Sequence, residues 1–418
     1  MSTVSTRRPH RQTTWFLRRN PLPTEAIGRD EYPYSEIAFA AEIGEFCDKV
    51  LVGGLSSRRQ IAFLYSHNRH GGEDTGFGKS ATMLHMRTAI NEDLGASLLG
   101  GLVDDDELIP VGAAYATFNT KERSGYYPVL ASAVYDAATA GEKPLLAHAH
   151  ERLVAEHGPF HSDLSGAIFA SQVKLGVSLR PSTVDAFIGG GAAGVAADVT
   201  AASEATKLRS GLQWLHFLLV ALHAAEIGRL YLFIDQLEDL ATNKSQSRAK
   251  RYREIGRIRD LLEDDPTRSM MHTTFTMHDT AAVELEEFWT PHRLPSYELR
   301  RANMGQIIRL EGLTSDEAAA EVLGAWLTPE RVDGFSGDLC FPFEMSAVRQ
   351  LRTSAEGRVG PFLTDAAKVF DAAESEKIPV IPGEYVRAVL EDGASSLSAA
   401  DDDDDDEVAT EFDDDLLS

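Results

Sequence analysis

One short segment holds the residue types that bind a nucleoside triphosphate. In HGGEDTGFGKSAT, residues 70–82, glycines are followed directly by Lys79 and Ser80. Glycines let the backbone turn at positive φ and bring its N–H groups close to phosphate oxygens. A lysine can bridge the β and γ phosphates, and a hydroxyl can hold Mg²⁺. The segment therefore predicts a phosphate-binding loop; the alternative is a flexible surface turn before an ordinary helix.

The first glycine of this loop is out of register. The motif G-x-x-x-x-G-K-[ST] needs a glycine at position 73, where the chain has Glu73 after Gly71 and Gly72. We interpret the difference as a local insertion and predict that Glu73 and Asp74 bulge away from the phosphates. The predicted nucleotide-binding residues are Gly72, Gly76, Phe77, Gly78, Lys79, Ser80 and Ala81.

A second chemical feature lies far downstream, in RLYLFIDQLEDLA, residues 229–241. Residues 230–234 form an unbroken apolar run that ends in Asp235, a pattern typical of a parallel strand buried on both faces. A carboxylate at the end of such a strand can hold Mg²⁺ through water, opposite the Ser80 hydroxyl. The two features together predict ATP and Mg²⁺ as cofactors.

Hydrolysis needs a further group that orients or deprotonates the attacking water. A glutamate directly after the strand-end aspartate usually does this, but the chain has Gln236 there. The nearest carboxylates are Glu238 and, as a second choice, Asp239. Gln236 could instead orient the water without taking its proton.

The elements that must position these residues alternate between strand and helix. Strands are predicted within residues 59–67, 107–118, 229–241, 269–277 and 305–313, and helices within 36–54, 80–95 and 211–225. This alternation predicts an α/β fold, a three-layer P-loop NTPase core with a parallel five-stranded sheet. Residues 120–208 are predicted to be mainly helical. Within them, the Ala/Gly-rich residues 187–203 are interpreted as a mobile connection, although a close-packed small-residue helix also fits.

The chain is predicted to divide into four regions. Residues 1–35 form a basic N-terminal arm, and residues 36–312 form the core, with a helical insertion at about 120–208. Residues 313–393 form a small all-helical lid domain whose first helix opens on a capping box from Thr314 to Glu317. Residues 394–418 are predicted to be a disordered acidic tail, with a solubilising role preferred over partner binding.

The charge balance limits the function classes. The net charge is −25, and removing the 11 acidic charges of the last 18 residues still leaves −14. Such a balance argues against a broad basic groove, so any DNA contact must be local. Two segments remain for it, residues 7–19 and 244–259, with a solvated helix face as the alternative for the second. Two distant cysteines and no apolar leader or membrane-length run predict a cytoplasmic protein without a membrane partner.

The segment LYLFIDQLEDL resembles the Walker B strand of STAND-type and origin-recognition-type ATPases of the AAA+ superfamily. This resemblance, which extends over residues 59–393, implies a sensor 1 at Thr276 or His278. The segment AEGRVGPFLTDAAKVF resembles the sensor 2 region and implies that Arg358 reaches the γ-phosphate, with an exposed loop residue as an equal alternative. An arginine finger is implied at one of three positions, for each of which a structural salt bridge is an alternative: Arg293, Arg300 and Arg301.

The resemblance implies an ATPase that couples hydrolysis to a protein partner or to its own oligomer. It also implies a DNA transaction such as DNA modification or phage defence. The alternative is a nucleotide-binding regulatory or scaffold module with little turnover. Gln236 favours this module, whereas Glu238 favours the ATPase. A purely structural protein remains only if both nucleotide motifs are accidental.

Overall fold

The structure, a computed structural model, describes residues 14–24, 32–55, 61–66, 75–104, 106–118, 125–242, 246–278, 285–292, 294 and 307–398. Several sequence predictions fall outside these ranges. They concern the arm before residue 14, the part of the acidic tail from residue 399, and the residues Gly72, Glu73, Asp74, Arg293, Arg300 and Arg301. Residues 394–398, which were predicted to begin the disordered tail, instead form the end of the last C-terminal helix.

Five strands form one sheet: β1 Ile61–Ser66, β2 Val111–Thr117, β3 Arg229–Asp235, β4 Met271–His278 and β5 Ile307–Leu310. Their order is β2-β3-β4-β1-β5, and every neighbouring pair is parallel. All seven residues of β3 are buried, as its apolar run predicts. The predicted α/β class with a five-stranded parallel sheet is confirmed.

Helices cover both faces of this sheet. They are α1 Ala40–Phe46, α2 Lys79–Asp93, α3 Ala96–Leu99, α4 Tyr126–Thr139, α5 Leu145–His157, α6 His161–Leu175, α7 Pro181–Ala201, α8 Glu204–Ala224, α9 Glu238–Thr242, α10 Arg248–Glu263 and α11 Asp265–Met270. α1 continues as a π-helix, Cys47–Val52. Alternate residues of β1 enter different hydrophobic clusters, with Phe63 packed among residues of α4 and α8 and Leu64 among residues of α2. This alternation makes the three layers.

The helices between β2 and β3 include a segment that the sequence analysis interpreted as a mobile connection. Residues 187–203 are not a mobile connection, because all but the last two belong to the helix α7. The helix is broken at Gly191, where φ is 58° and ψ is −142°. Phe187, Val195 and Val199 are buried, so the small residues pack as a helix around this break.

The described residues fall into two compact units. The core unit comprises Ile27–Gly312 and Arg358–Gly360, and the second unit holds most of the C-terminal helices. Those helices are α12 Asp316–Leu327, α13 Met345–Ser354, α14 Val359–Glu376 and α15 Gly383–Ser398. The cap of α12 is Ser315, whose side chain accepts a hydrogen bond from the Ala318 N–H, so the capping box predicted to start at Thr314 lies one residue too early.

The second unit also contains the N-terminal residues 14–24. Trp15 is fully buried there, and its Nε1 donates hydrogen bonds to the carbonyls of Ile378 and Pro379, each at 3.1 Å. Its ring meets that of Phe370 edge-on, with 4.6 Å between centroids. Residues 14–24 therefore contribute to the hydrophobic core of the second unit. Within the described parts of the chain, no helix combines the length and apolar character needed to cross a membrane.

Candidate functional site

The phosphate-binding loop predicted from the sequence ends at the start of α2. Gly76 and Gly78 have φ of 81° and 94°, in the left-handed region where a residue with a side chain would be strained. Gly78 is the N-cap of α2, and Lys79 is the first helical residue. The first N–H groups of a helix lack partners within it and form a site for anions. The loop and helix start therefore have the backbone that phosphates need.

Of the other predicted loop residues, Phe77 is buried and Ala81 lies in the first turn of α2. The carbonyl of Gly76 accepts a hydrogen bond from the Gly360 N–H at 2.8 Å. Gly360 lies two residues after Arg358, and both belong to the core unit together with the loop. The half-buried Arg358 is therefore two residues from a backbone contact to the loop.

The two residues predicted to hold a metal meet directly. The Ser80 hydroxyl donates to Oδ2 of Asp235 at 2.5 Å, although the two residues lie on different elements. Asp235 is buried, and its other oxygen, Oδ1, accepts hydrogen bonds from Thr276 Oγ1 and, at 3.1 Å, from the Gln236 N–H. Donors on both oxygens fix the orientation of this carboxylate.

Magnesium fits this donor set. Mg²⁺ prefers hard oxygen ligands and is commonly held by one or two protein oxygens, substrate phosphates and several waters. The Ser80 hydroxyl and the Asp235 carboxylate are such oxygens, next to the loop that would hold the phosphates. The described residues contain no cluster of three or more His, Cys, Asp or Glu side chains suited to a metal. Ser80 and Asp235 would therefore hold a metal together with a phosphate ligand.

Lys79 lies in a chain of polar contacts that leads to Glu238. Its Nζ donates to Ser66 Oγ at 2.6 Å and contacts Nδ1 of His278 at 3.1 Å. An ammonium group has donors only, so Nδ1 must accept, and the His278 proton resides on Nε2. That Nε2 lies 2.8 Å from Oε1 of Glu238 and donates to it. The contact of His278 with Glu238 is thus a hydrogen bond from a neutral imidazole.

Glu238 is buried, and the adjacent Asp239 is half-buried. Its side chain is 8% exposed, and Oε2 has no hydrogen-bond partner among the described residues. Asp239 is half-buried; its burial and then the negative charges of Glu238 and Asp235 raise its pKa to about 6. The two carboxylates beyond the end of β3 therefore differ, because Glu238 accepts a hydrogen bond from His278 and Asp239 has a raised pKa.

Gln236 adopts a left-handed conformation, with φ 61°, directly after β3. Its N–H donates to Thr276 Oγ1 at 2.8 Å, and its exposed side chain accepts a hydrogen bond from Thr117 Oγ1 at 3.1 Å. The backbone turn at Gln236 lets the chain pass from β3 into α9, which begins with Glu238. This turn brings Glu238, and not Gln236, next to His278.

The two sensor 1 alternatives occupy different places. Thr276 is fully buried and donates to the Asp235 carboxylate. His278 is the last residue of β4 and contacts both Lys79 and Glu238. Only His278 has the position at the strand tip that the resemblance implies for a sensor.

Three residues that sequence reasoning did not single out also belong to the site. They are Ser66, Tyr115 and Thr117, near the carboxyl ends of β1 and β2. Ligand sites of parallel sheets lie beyond the carboxyl ends of the strands. The strand register pairs Ser66 with His278 and Thr117 with Asp235, so the polar last residues of four strands meet at this edge. A polar residue near the carboxyl end of each predicted strand is the signal that could have identified Ser66 and Thr117.

The second basic segment, residues 244–259, lies mostly on α10. Several of its cations are engaged within the protein, since Arg257 pairs with Glu254 at 2.8 Å and Arg251 stacks over Phe288. Arg248 pairs with Glu287. These contacts are those of a partly neutralised helix face.

No protein-family model and no curated protein sequence matches the chain. Among solved structures, it is similar to the Aeropyrum pernix ORC2 protein in its ADPNP-ADP complexes, with 11% identity and a TM-score of 0.47 over 90% of this chain and 74% of that one. It is also similar to the Aeropyrum pernix ORC1 protein in complex with DNA, with 14% identity and a TM-score of 0.41 over 87% of this chain and 66% of that one. The Drosophila ORC bound to DNA matches 89% of this chain at 12% identity and a TM-score of 0.39, and the chain covers 65% of its length, just under two thirds. Origin-recognition proteins are one of the groups that the sequence motifs resemble.

Proposed function

We propose that the chain binds ATP with Mg²⁺ at the carboxyl edge of its sheet and hydrolyses it. The observation that supports this most directly is the convergence of Lys79, Ser80 and Asp235. Ser80 and Asp235, far apart in sequence, are in hydrogen-bond contact at 2.5 Å, beside a loop with two glycines at positive φ. A surface turn before an ordinary helix would need none of these arrangements.

Each residue has a distinct task in binding. The N–H groups of residues 76–81 contact the phosphates, and Lys79 exchanges its contacts with Ser66 and His278 for phosphate oxygens. Ser80 would hold Mg²⁺ directly, and Asp235 would hold it through water. When bound, Mg²⁺ neutralises charge that develops on the β and γ phosphates.

In hydrolysis, Glu238 acts as the base that takes the proton of the attacking water. Its buried Oε2 is an acceptor without a described partner, which a water molecule can satisfy. His278 orients Glu238 through its Nε2–H and is the sensor residue, because its Nδ1 faces Lys79. Movement of Lys79 onto phosphate frees Nδ1 of His278 for a new donor. Arg358, two residues before the contact of Gly360 with the loop, is proposed to reach the γ-phosphate.

The second candidate function is a nucleotide-binding regulatory or scaffold module with little turnover. The observation that favours it is Gln236, a neutral side chain held by Thr117 at the position directly after Asp235. In that case Gln236 orients a water without deprotonating it, and Glu238 only supports His278.

Calorimetric titration of the full chain with ATP and Mg²⁺ tests the binding proposal. The parent should bind, and Lys79→Ala should lose binding by 10-fold or more, since a charge-assisted contact to phosphate is worth about 1.5–3 kcal/mol. The control is Lys143→Ala, which removes a surface lysine paired with Glu151 and should bind like the parent. Parent and Lys79→Ala titrations that show the same heats would refute the proposal.

The wider process is also a proposal. We propose that the protein is cytoplasmic and that its nucleotide state is coupled to other subunits or to a self-oligomer, in a DNA transaction such as DNA modification or phage defence. Any DNA contact is local, through residues 7–19 and 244–259, where Arg253 is 64% exposed on α10. ATP hydrolysis measured with and without DNA, together with the mass in solution, tests both couplings. Identical turnover with DNA and a monomeric mass with ATP would contradict them.

A further inference from the structure

We infer that Tyr115 is a positioning residue for the metal-holding carboxylate, and that its own position is set by a clip between α2, β2 and α4. The inference rests on the proposed function, because the carboxylate in question is Asp235. Tyr115 OH donates a hydrogen bond to Oδ2 of Asp235 at 2.9 Å. This is the same oxygen to which the Ser80 hydroxyl donates.

The strand register explains how Tyr115 reaches Asp235. In the pairing of β2 with β3, Tyr115 lies opposite Phe233 and Thr117 lies opposite Asp235. Tyr115 and Asp235 are therefore diagonal neighbours on one face of the sheet, a separation that long and aromatic side chains can span. The tyrosine ring carries its hydroxyl along the strand direction to the carboxylate.

The strand that carries Tyr115 is one of the two edge strands of the described sheet. An edge strand has backbone groups that no neighbouring strand can satisfy, and its position is less constrained than that of a central strand. In β2, two side chains bond to three of these groups. Asn91 of α2 donates to the Ala113 carbonyl and accepts from the Ala113 N–H, both at 2.8 Å.

The next outward N–H along β2 is that of Tyr115 itself. It donates to Oδ2 of Asp136, on α4, at 2.8 Å. The other oxygen of Asp136 accepts from Arg87 Nη1 of α2, also at 2.8 Å, and Arg87 is 1% exposed. A buried arginine paired with a carboxylate is costly to break, because one charge would be left buried without a partner.

The clip has a consequence for the site. The helix α2 begins with Lys79 and Ser80, and two and three turns later it carries Arg87 and Asn91. The same helix thus positions the Ser80 hydroxyl and, through β2, the Tyr115 hydroxyl. Both donors to Oδ2 of Asp235 are held in one frame, so the carboxylate has a single orientation toward a metal at Ser80. Outer hydrogen bonds of this kind commonly contribute 10- to 100-fold to metal affinity or activity.

The test is Tyr115→Phe in the full chain, which removes one hydroxyl and keeps the ring. ATP affinity is measured by calorimetry in EDTA and at increasing Mg²⁺, and the melting temperature is recorded alongside. We expect the Mg²⁺ concentration for half-maximal enhancement to rise about 10-fold, with the affinity in EDTA and the melting temperature unchanged. The matched control is Tyr135→Phe, at a tyrosine 43% exposed on α4, which should behave like the parent in every measurement.

Each other outcome has a defined meaning. An unchanged Mg²⁺ requirement in Tyr115→Phe, with a parent that binds Mg·ATP, would overturn the positioning role and leave the proposed function standing. An equal loss of affinity in EDTA and in Mg²⁺, with a lower melting temperature, would show that the hydroxyl is only structural and would also overturn it. A parent that binds ATP equally with and without Mg²⁺ would remove both this inference and the metal site of the proposed function.

Discussion

Glu238→Gln is the substitution that separates an ATPase from a binding module. The amide keeps an Oε1 that can accept the hydrogen bond from His278 Nε2, which is 2.8 Å long in the parent. At the second position it replaces the buried Oε2 acceptor by an NH₂ group. The substitution therefore removes the proton acceptor and preserves the size and orientation of the side chain.

The magnitude follows from the role of a general base. Such groups contribute about 10²- to 10⁴-fold to a rate, which corresponds to about 3–5.5 kcal/mol in the activation free energy. We expect kcat for ATP hydrolysis to fall by at least 100-fold in steady-state phosphate release, while ATP affinity changes little. The binding residues Lys79, Ser80 and Asp235 are not altered.

The matched control is Asp239→Asn, the same acid-to-amide change at the neighbouring carboxylate, for which we expect less than a fivefold change in kcat. Turnover of Glu238→Gln within twofold of the parent would refute the assignment of the base. In that case Gln236→Leu should abolish the remaining turnover if Gln236 orients the water. A large loss in Asp239→Asn with none in Glu238→Gln would assign the base to Asp239.

Three further predictions concern stability. Trp15→Ala should lower the free energy of unfolding by about 3–5 kcal/mol, because a fully buried ring and the partner of two carbonyls are lost; denaturant unfolding measures this, and a loss below 1 kcal/mol would contradict the docking of residues 14–24. Asn91→Ala should cost about 2–4 kcal/mol, because the N–H and carbonyl of Ala113 both lose their partner; Asn91→Asp, which keeps only an acceptor, should cost a comparable amount, and a neutral result would contradict the clip. Asp239→Asn should stabilise the nucleotide-free chain more at pH 8 than at pH 5. The pKa of Asp239 is raised to about 6 in the folded state, so the stability of the parent falls as the pH rises from the unfolded pKa to about 6. Solvent screening limits the effect to about 1 kcal/mol, and equal melting-temperature shifts at the two pH values would contradict it.

The strands could be predicted because each combines apolar residues with a clear boundary. β3 shows this best, since its buried run ends in Asp235 and the next residue turns at positive φ. The loop residues were predictable for a similar reason, as phosphate chemistry requires glycine, lysine and a hydroxyl in sequence. These features depend mainly on residues that are neighbours in the sequence.

Features that depend on distant parts of the chain were not predictable in the same way. The position of β4 between β1 and β3 cannot be read from the order of the strands in the sequence. The choice between Thr276 and His278 depends on which of them faces Lys79 across the sheet edge. In the sequence, Tyr115 is indistinguishable from a strand tyrosine that only packs against its neighbours. The register with β3 is what shows that its hydroxyl reaches Asp235.

Composition misled the prediction in one segment. Residues 187–203 contain glycines and alanines that are typical of a flexible linker. In α7 these small residues form a helix, with one break at Gly191, because Phe187 and Val195 anchor it in the core. Burial of a few large side chains outweighs the low helix propensity of the glycines between them.

We propose that ATP and a divalent metal bind at Lys79, Ser80 and Asp235. A crystal structure of the chain with a non-hydrolysable ATP analogue and Mn²⁺, with the metal located by its anomalous signal, tests it most directly. We expect a metal peak within direct ligand distance of Ser80 Oγ, with the triphosphate against the N–H groups of residues 76–81 and Asp235 one water away from the metal. Nucleotide bound elsewhere on the chain, or a metal that does not contact Ser80, would refute the proposed site.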